Sequence, residues 1–366
     1  VSERPLRLAA LAGALLVLLA MPFYLDAFWL QTGLFAMSAA IGAIGLNLLT
    51  GATGQLSMGH AFFLAVGAYG YVYLASDSGP HGAGLGLPTP LAFLGAIVLA
   101  GVAGGLFSPI AGRLRGVYLG IASLALIFIG QHVLFNAETV TGGFNGRDVP
   151  PLSVAGFRFD DSPELVLFNV PLGALERLWF LAVLLLVPAV WIARGILRGR
   201  PGRAMNTIRD HETAAAVMGV PVARYRAGVF VLSSMYAGAA GALLALAFRR
   251  TVPDYFGMFL SLDYLAMIVI GGLGTAAGAV AGAVFVSVLP QLLTRFGDDL
   301  PLVAAPGSAG VSPAEAARIL YGAAVVAVVL FLPGGLAGAW SRLRTAASRR
   351  RTAPPLTRLE KEEQLT

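Results

Sequence analysis

The chain has 366 residues, 57% of them hydrophobic and only 12% charged, with a net charge of +6 and no cysteine. A soluble domain carries about 25% charged residues, so this chain cannot cover a water-facing surface of its size and reads as a polytopic membrane protein. The lack of cysteine excludes disulfides and thiolate metal sites. The basic residues are nearly all arginines clustered between apolar runs, which is the positive-inside pattern and not a nucleic-acid-binding surface.

A span needs about 20 apolar residues. Arg4 and Arg7 precede a first apolar run over 8–25, read here as a retained span and not a cleaved signal. Further runs cover 28–49, 58–76, 90–112, 116–136, 177–197, 227–248, 263–293 and 318–340. Arg113 and Arg115 share one short loop, Arg194 to Arg226 crowd another, and Arg342, Arg344 and Arg349 to Arg351 follow the last run, so these segments are expected to face the cytoplasm. The connection 137–176 carries Glu138, Asp148, Asp160, Asp161 and Glu164 and is expected outside. Arg249 and Arg250 break this rule, because alternation places them outside as well. Both termini are then cytoplasmic and the number of crossings is even. Nine runs do not satisfy that condition. The run 263–293 is about ten residues longer than a span needs and is interrupted by "GGLGT" (271–275).

The fold class expected is therefore an all-α polytopic membrane protein with 8–10 transmembrane helices and broken or re-entrant glycine-rich segments near 45–60 and 263–282. Residues 1–340 form one transmembrane domain, and 341–366 a cytoplasmic, basic and disordered tail ending "LEKEEQLT". The first broken stretch, "GLNLLTGATGQLSMGHAFFLAVGAY" (45–69), is too apolar for a surface loop and too rich in glycine for an uninterrupted helix. The segments "GQLSMGHAFFLAVGAY" and "GGLGTAAGAVAGAVF" each place a glycine-rich break before a small-residue helix, one early and one late, as two halves of an internal repeat would.

The intracellular segment 198–226 is far longer than a span-to-span turn requires. Within it "DHETAAAVMG" reads as a short helix ending at Gly219, with Asp210 and Glu212 where the helix dipole favours acids. Ala214, Ala215 and Ala216 offer a thin face for close approach by a partner; the alternative is a solvated basic loop. "TGGFNG" (141–146) lacks the Lys-Ser/Thr of a phosphate loop, and no G-x-x-x-x-G-K-[ST] occurs anywhere.

"GRAMNTIRDHETAAAVMGVPVARYRAGVFVLSSMYAGAAGALLA" (202–245) resembles the cytoplasmic loop and following span of bacterial branched-chain amino acid ABC permeases of the LivH/LivM type, with the LivM-type member the better fit. The stretch from Gly45 to His60, the external "TGGFNGRDVPPLSVAGF" (141–157), the late glycine-rich segment 253–285 and "LYGAAVVAVVLFLPGGLAG" (320–338) are similar to the same family in the same order. Ala279 stands where the family usually has proline.

The resemblance implies a multi-pass permease of the bacterial inner membrane that does no covalent chemistry. It would form the translocation path of an importer for branched-chain or related amino acids, with urea and short amides as the nearest alternative substrates. The expected partners are a homologous LivH-type permease, two ATPase subunits and a periplasmic substrate-binding protein, with ATP and Mg used on the ATPase and no cofactor on this chain. Arg209, Glu212, Ala214, Ala215 and Gly219 would couple to the ATPase.

For the substrate path the candidates are Asn47, Gly54, Gln55, Ser57, His60, Gly271, Gly272 and Gly274. A broken helix exposes N–H groups that bind a carboxylate, and uncharged polar side chains would help desolvate a zwitterion. The competing reading is helix packing, which small residues and Ser/Asn also serve; a lone His60 is more often a satisfied interior histidine. Gln131 and His132 would line an external vestibule or simply meet headgroups. Two rivals remain. An ion-coupled transporter needs an acid or base buried at mid-membrane, for which Asp263 is the nearest candidate. A membrane enzyme needs a clustered pair that the scattered histidines do not supply.

Overall fold

The computed structural model describes residues 4–79, 82–162, 165–167, 170–296, 312–331 and 334–339. The tail 341–366 and its arginines lie outside the described residues. Thirteen helices are labelled among the described residues: α1 (Arg4–Ala20), α2 (Ala27–Leu46), α3 (His60–Ala75), α4 (Thr89–Arg113), α5 (Val117–Asn136), α6 (Glu138–Thr141), α7 (Ala174–Arg198), α8 (Arg200–Asp210), α9 (Glu212–Val217), α10 (Val222–Phe248), α11 (Met258–Gly271), α12 (Ala276–Phe296) and α13 (Pro313–Phe331). Six (α2, α4, α5, α7, α10 and α12) are long and apolar enough to cross a bilayer by themselves; four shorter apolar helices lie in α1, α3, α11 and α13.

The helices divide by burial. In α2, 89% of the apolar window is inside the protein, and in α10 72%, against 28% in α5 and α7. α2 is apolar all round, which suits a helix surrounded by others. α10 packs on α2, α3 and α4. Lipid supplies no hydrophobic force between helices, so such contacts rely on close backbone approach at small residues. Gly241 of α10 lies against the Leu64 carbonyl of α3, where a Cβ would collide with backbone, and Gly67 lies against Gly238 in the same way.

The long run 263–293 is two helices. α11 begins at Met258, earlier than hydropathy suggests, and has 14 residues. At about 1.5 Å per residue it spans about 21 Å, short of the hydrocarbon core. Residues 272–275 turn the chain into α12, whose Ala279 N–H donates to Thr275 O at 3.1 Å. A proline at 279 would remove that bond.

α2 likewise ends in a π-helical stretch, Asn47–Ala52, followed by irregular backbone up to α3. Asn47 joins the two breaks directly. At the other end of these helices Arg295 of α12 pairs with Asp26, the N-cap of α2, at 3.2 Å. The two hairpins, α2–α3 and α11–α12, therefore run in the same direction, which is the relation of a parallel repeat and not an inverted one.

The end opposite α8 and α9 is covered by the described residues of 137–173, which with β6 form three two-stranded ladders. β1 (Arg147–Asp148) pairs antiparallel with β6 (Arg250–Thr251), β2 (Ser153–Val154) with β3 (Phe157–Arg158), and β4 (Leu165–Leu167) with β5 (Val170–Leu172). Arg249 and Arg250 are accounted for here. Arg249 pairs with Asp161 at 2.8 Å and Arg250 with Asp148 at 3.0 Å, so acids of the long connection offset the arginines that break the charge rule.

Two outcomes follow. In right-side-out vesicles an impermeant maleimide should label a cysteine at Phe144, which is 77% exposed, and label one at Thr213 only after permeabilisation; the reverse pattern would invert the orientation. Gly241→Ala should lower the thermal midpoint, with overpacking costing about 1–3 kcal/mol. Gly228→Ala, in the same helix with nothing within 4 Å of the new Cβ, should be neutral or mildly stabilising. Equal midpoints for the two would remove the close-contact account of α3 on α10.

Candidate functional site

The two breaks meet at the end of the molecule that carries α8 and α9. Asn47 Oδ1 accepts from Gly274 N at 2.8 Å, and its Nδ2 donates to Thr275 O at 2.8 Å and Gly272 O at 3.4 Å. Gly51 fits against this amide, and a Cβ there would strike Asn47 Oδ1 and Gly274 N. Gly274 has φ +79, a left-handed conformation that glycine adopts without penalty. Gly271 packs its α-carbon against the Gly278 carbonyl, and Gly272 lies beside Gly334.

Non-helical backbone inside a bilayer must find partners in the protein, and here it does. Thr53 Oγ1 donates to Leu49 O at 2.6 Å, Thr50 Oγ1 to Gln55 O at 3.0 Å, and Gln55 Nε2 to Thr53 Oγ1 at 3.0 Å and Arg226 O at 3.4 Å. Two N–H groups at the start of α3 are also occupied. Met58 N donates to Ser123 Oγ of α5 and Ala61 N to Ser261 Oγ of α11, both at 2.8 Å. His60 is buried, and its Nε2 lies 3.0 Å from Gly42 O. Ser57 is buried as well, while Gly54 is exposed, with φ +71.

The structure thus brings Asn47, Gly272 and Gly274 into one cluster. It sets Gln55 beside α10 and His60 against α2. These side chains face protein groups; they do not line the apolar cavity of about 320 Å³ between α3 and α5. That cavity is bounded by Phe62, Tyr69, Gln131, Leu134 and Phe256, among others. Gln131 turns into it, whereas His132 is exposed and accepts from Asn136 Nδ2 through its carbonyl. Ser123 and Ser261 were missed in the sequence. The available signal was an isolated hydroxyl in an otherwise apolar helix, which in lipid requires a partner.

The segment 198–226 holds two helices, α8 and α9, separated by extended His211. Its residues divide by face. Arg209 points inward and donates from Nη1 to Gly51 O at 2.9 Å. Glu212 pairs with Arg226 at 2.9 Å and Arg115 at 3.2 Å. Ala215 is fully buried, so the expected alanine face is corrected: Ala214 and Ala216 are exposed and Ala215 packs inside, because the helix is only 6 residues long and one side must rest on α8. Val217 and Met218 project outward, 89% and 67% exposed. Gly219 follows at φ +81.

At the opposite end, buried arginines organise the covering segment. Arg147 Nη1 donates to Ala83 O at 2.6 Å and Val140 O at 2.9 Å. Arg177 donates to Leu172 O and Arg158 O. Asp161 accepts from Ala174 N, at the start of α7, and from Arg249. The Ala174 N–H foremost, and Arg249 with it, hold its carboxyl below the usual carboxylate range. That contribution to stability is present at neutral pH and is lost as pH falls through the lowered value.

Apolar helices that pass back and forth, two discontinuous hairpins whose breaks meet, and a polar two-helix segment at the same end are features of membrane transport proteins. A family profile described as the permease component of branched-chain amino acid transport systems matches residues 28–329, and the chain belongs to that family. It is 31% identical over 299 residues to the high-affinity branched-chain amino acid transport system permease protein LivM of Salmonella typhimurium, covering 79% of this chain and 69% of the relative. The LivM protein of Escherichia coli is also 31% identical, over 78% of this chain and 68% of its own length. LivH of Escherichia coli is 25% identical over 70% and 82%. No solved structure matches the chain.

Asn47→Leu should leave the Gly274 N–H unpaired in a water-poor site, at about 1–3 kcal/mol, and remove one of the two donors on the Thr275 carbonyl, the Ala279 N–H remaining. The expected result is a lowered thermal midpoint in detergent with membrane insertion retained. An unchanged midpoint would mean that the breaks are held together by packing alone.

Proposed function

We propose that this chain is one of two membrane-spanning subunits of an ATP-driven importer for branched-chain or chemically related amino acids in the inner membrane of a bacterium. Its partners are a LivH-type permease, two ATPase subunits that bind ATP and Mg, and a periplasmic binding protein that selects the substrate. Both termini and the α8–α9 segment face the cytoplasm. The observation that carries the assembly is the pair Val217 and Met218. Two adjacent large apolar side chains stand almost free on a helix outside the apolar belt, and such exposure marks a binding face. A short helix with outward apolar anchors suits a cleft in a partner.

The ion-coupled rival is disfavoured by charge burial. Among the described residues the buried charged side chains are Arg147 and Arg177, both at the end opposite α8 and α9, and no Asp or Glu is buried. Urea and short amides stay as alternative substrates, because selection rests on the binding protein.

The test co-expresses both permeases with the ATPases and measures leucine uptake. Val217→Asp should insert normally, reduce ATPase co-purification at least tenfold and abolish uptake. Gly219→Val should act similarly but less severely. No atom lies within 4 Å of its Cβ, so the cost is the left-handed backbone alone, about 1–2 kcal/mol. ATPase retention by Val217→Asp would place docking elsewhere. Wild-type uptake without the ATPase, driven by an ion gradient, would overturn the importer reading.

A further inference from the structure

The inward face of the α8–α9 segment reaches the helix breaks at two points. Arg209 lies in the last turn of α8. Its stem runs along Gly54, where a Cβ would come within 3.0 Å of Arg209 Cγ, and its Nη1 donates to Gly51 O at 2.9 Å. Its Nε donates to Asp210 Oδ1 at 3.0 Å, which fixes the plane of the guanidinium. Gly51 is also the residue on which the second hairpin closes, because Gly274 N and Asn47 Oδ1 occupy the space its Cβ would take. The guanidinium therefore sits where both breaks converge; a Cβ on Gly274 would lie 3.7 Å from Arg209 Nη1. A charged donor on a carbonyl that the helix has released forms a bond stronger than a neutral one.

The second point is Glu212, which bridges Arg115, in the turn between α4 and α5, and Arg226 at the start of α10. The backbone carbonyl of Arg226 accepts from Gln55, at the far side of the same break. The two contacts flank residues 51–55 from either end.

We infer that Arg209 is the positioning residue through which displacement of the α8–α9 segment is passed to both discontinuous hairpins, by way of the Gly51 carbonyl and the Asn47 clamp. Glu212 carries the same displacement to α4, α5 and α10. This rests on the reading of α8–α9 as the ATPase docking segment. It separates two roles within that segment: Val217 and Met218 face the partner, while Arg209 faces the membrane domain. Arg209 is then needed for the use of ATP binding, not for the binding of the ATPase.

The test uses the complete complex in proteoliposomes with leucine as substrate. Arg209→Met keeps the stem on Gly54 and removes the donors. It should co-purify the ATPase at the wild-type ratio and hydrolyse ATP, but leucine transported per ATP should fall at least tenfold. Arg209→Lys restores one donor to the Gly51 carbonyl and should recover coupling to within about threefold of wild type. A role limited to folding would lower abundance and hydrolysis together and would not be rescued in this ratio.

A second measurement needs no change at Arg209. A cysteine at Leu273, which is 50% exposed in the turn between α11 and α12, should change its maleimide labelling rate at least threefold between nucleotide-free and ATP-trapped complexes. Unchanged coupling in Arg209→Met, or unchanged Leu273→Cys labelling, overturns the proposal. Loss of ATPase co-purification by Arg209→Met also overturns it, by assigning Arg209 to the docking face, and leaves the docking reading intact. That reading fails separately if Val217→Asp retains the ATPase.

Discussion

The intramembrane architecture depends on one buried carboxamide. Asn47 has a donor and an acceptor on the same side chain, and it uses both on backbone groups 225 or more positions away in the chain. A carboxylate, which only accepts, or an ammonium, which only donates, would not meet the same demand: the second break presents an N–H and a carbonyl together, and lipid offers neither a competing partner nor a screening solvent. Because both hairpins break at the same point, each supplies what the other lacks. The glycines at 51 and 274 let the two backbones approach closely enough for the amide to reach.

Polar residues near the breaks act chiefly on backbone in this conformation. Serines on α5 and α11 take up N–H groups at the start of α3, and the hydroxyls of Thr50 and Thr53 donate to the carbonyls of Gln55 and Leu49 in and just after the π-helical stretch. A substrate carboxylate is not required to satisfy them. The α8–α9 segment is two-faced for a related reason. With 6 residues, α9 can bury only one side; Arg209 points inward to the Gly51 carbonyl and Glu212 to Arg115 and Arg226, while the apolar pair Val217 and Met218 is left outside.

At the opposite end the same problem is solved with guanidinium groups. Arg147 and Arg177 are nearly fully buried, and each donates to two backbone carbonyls of the loops around it. Ladders of only two or three residues per strand are marginal by themselves. Here Arg177 of α7 donates to the carbonyls of Arg158 and Leu172, Asp161 joins the start of α7 to Arg249 at the end of α10, and β6 follows α10 directly, so the segment rests on α7 and α10.

The sequence alone determined the membrane class, the positions of nearly all the apolar helices, the two breaks, the short helix just before Gly219 and the family. These are local signals: a run of apolar residues, a cluster of glycines, a motif in a fixed order. Only the tertiary structure decided how distant segments meet. The break within 263–293 was legible in its glycines, but the start of its first helix at Met258 was not. Charge counting left Arg249 and Arg250 as exceptions until Asp161 and Asp148 were found beside them. Ala215 belonged to an alanine run with no visible inside or outside until α8 and α10 enclosed it. Asn47 and Arg209 were both legible as candidates, but neither partner was. A side chain's hydrogen-bonding capacity is written in its own residue, whereas the group it satisfies is set by which backbone the fold brings within about 3 Å.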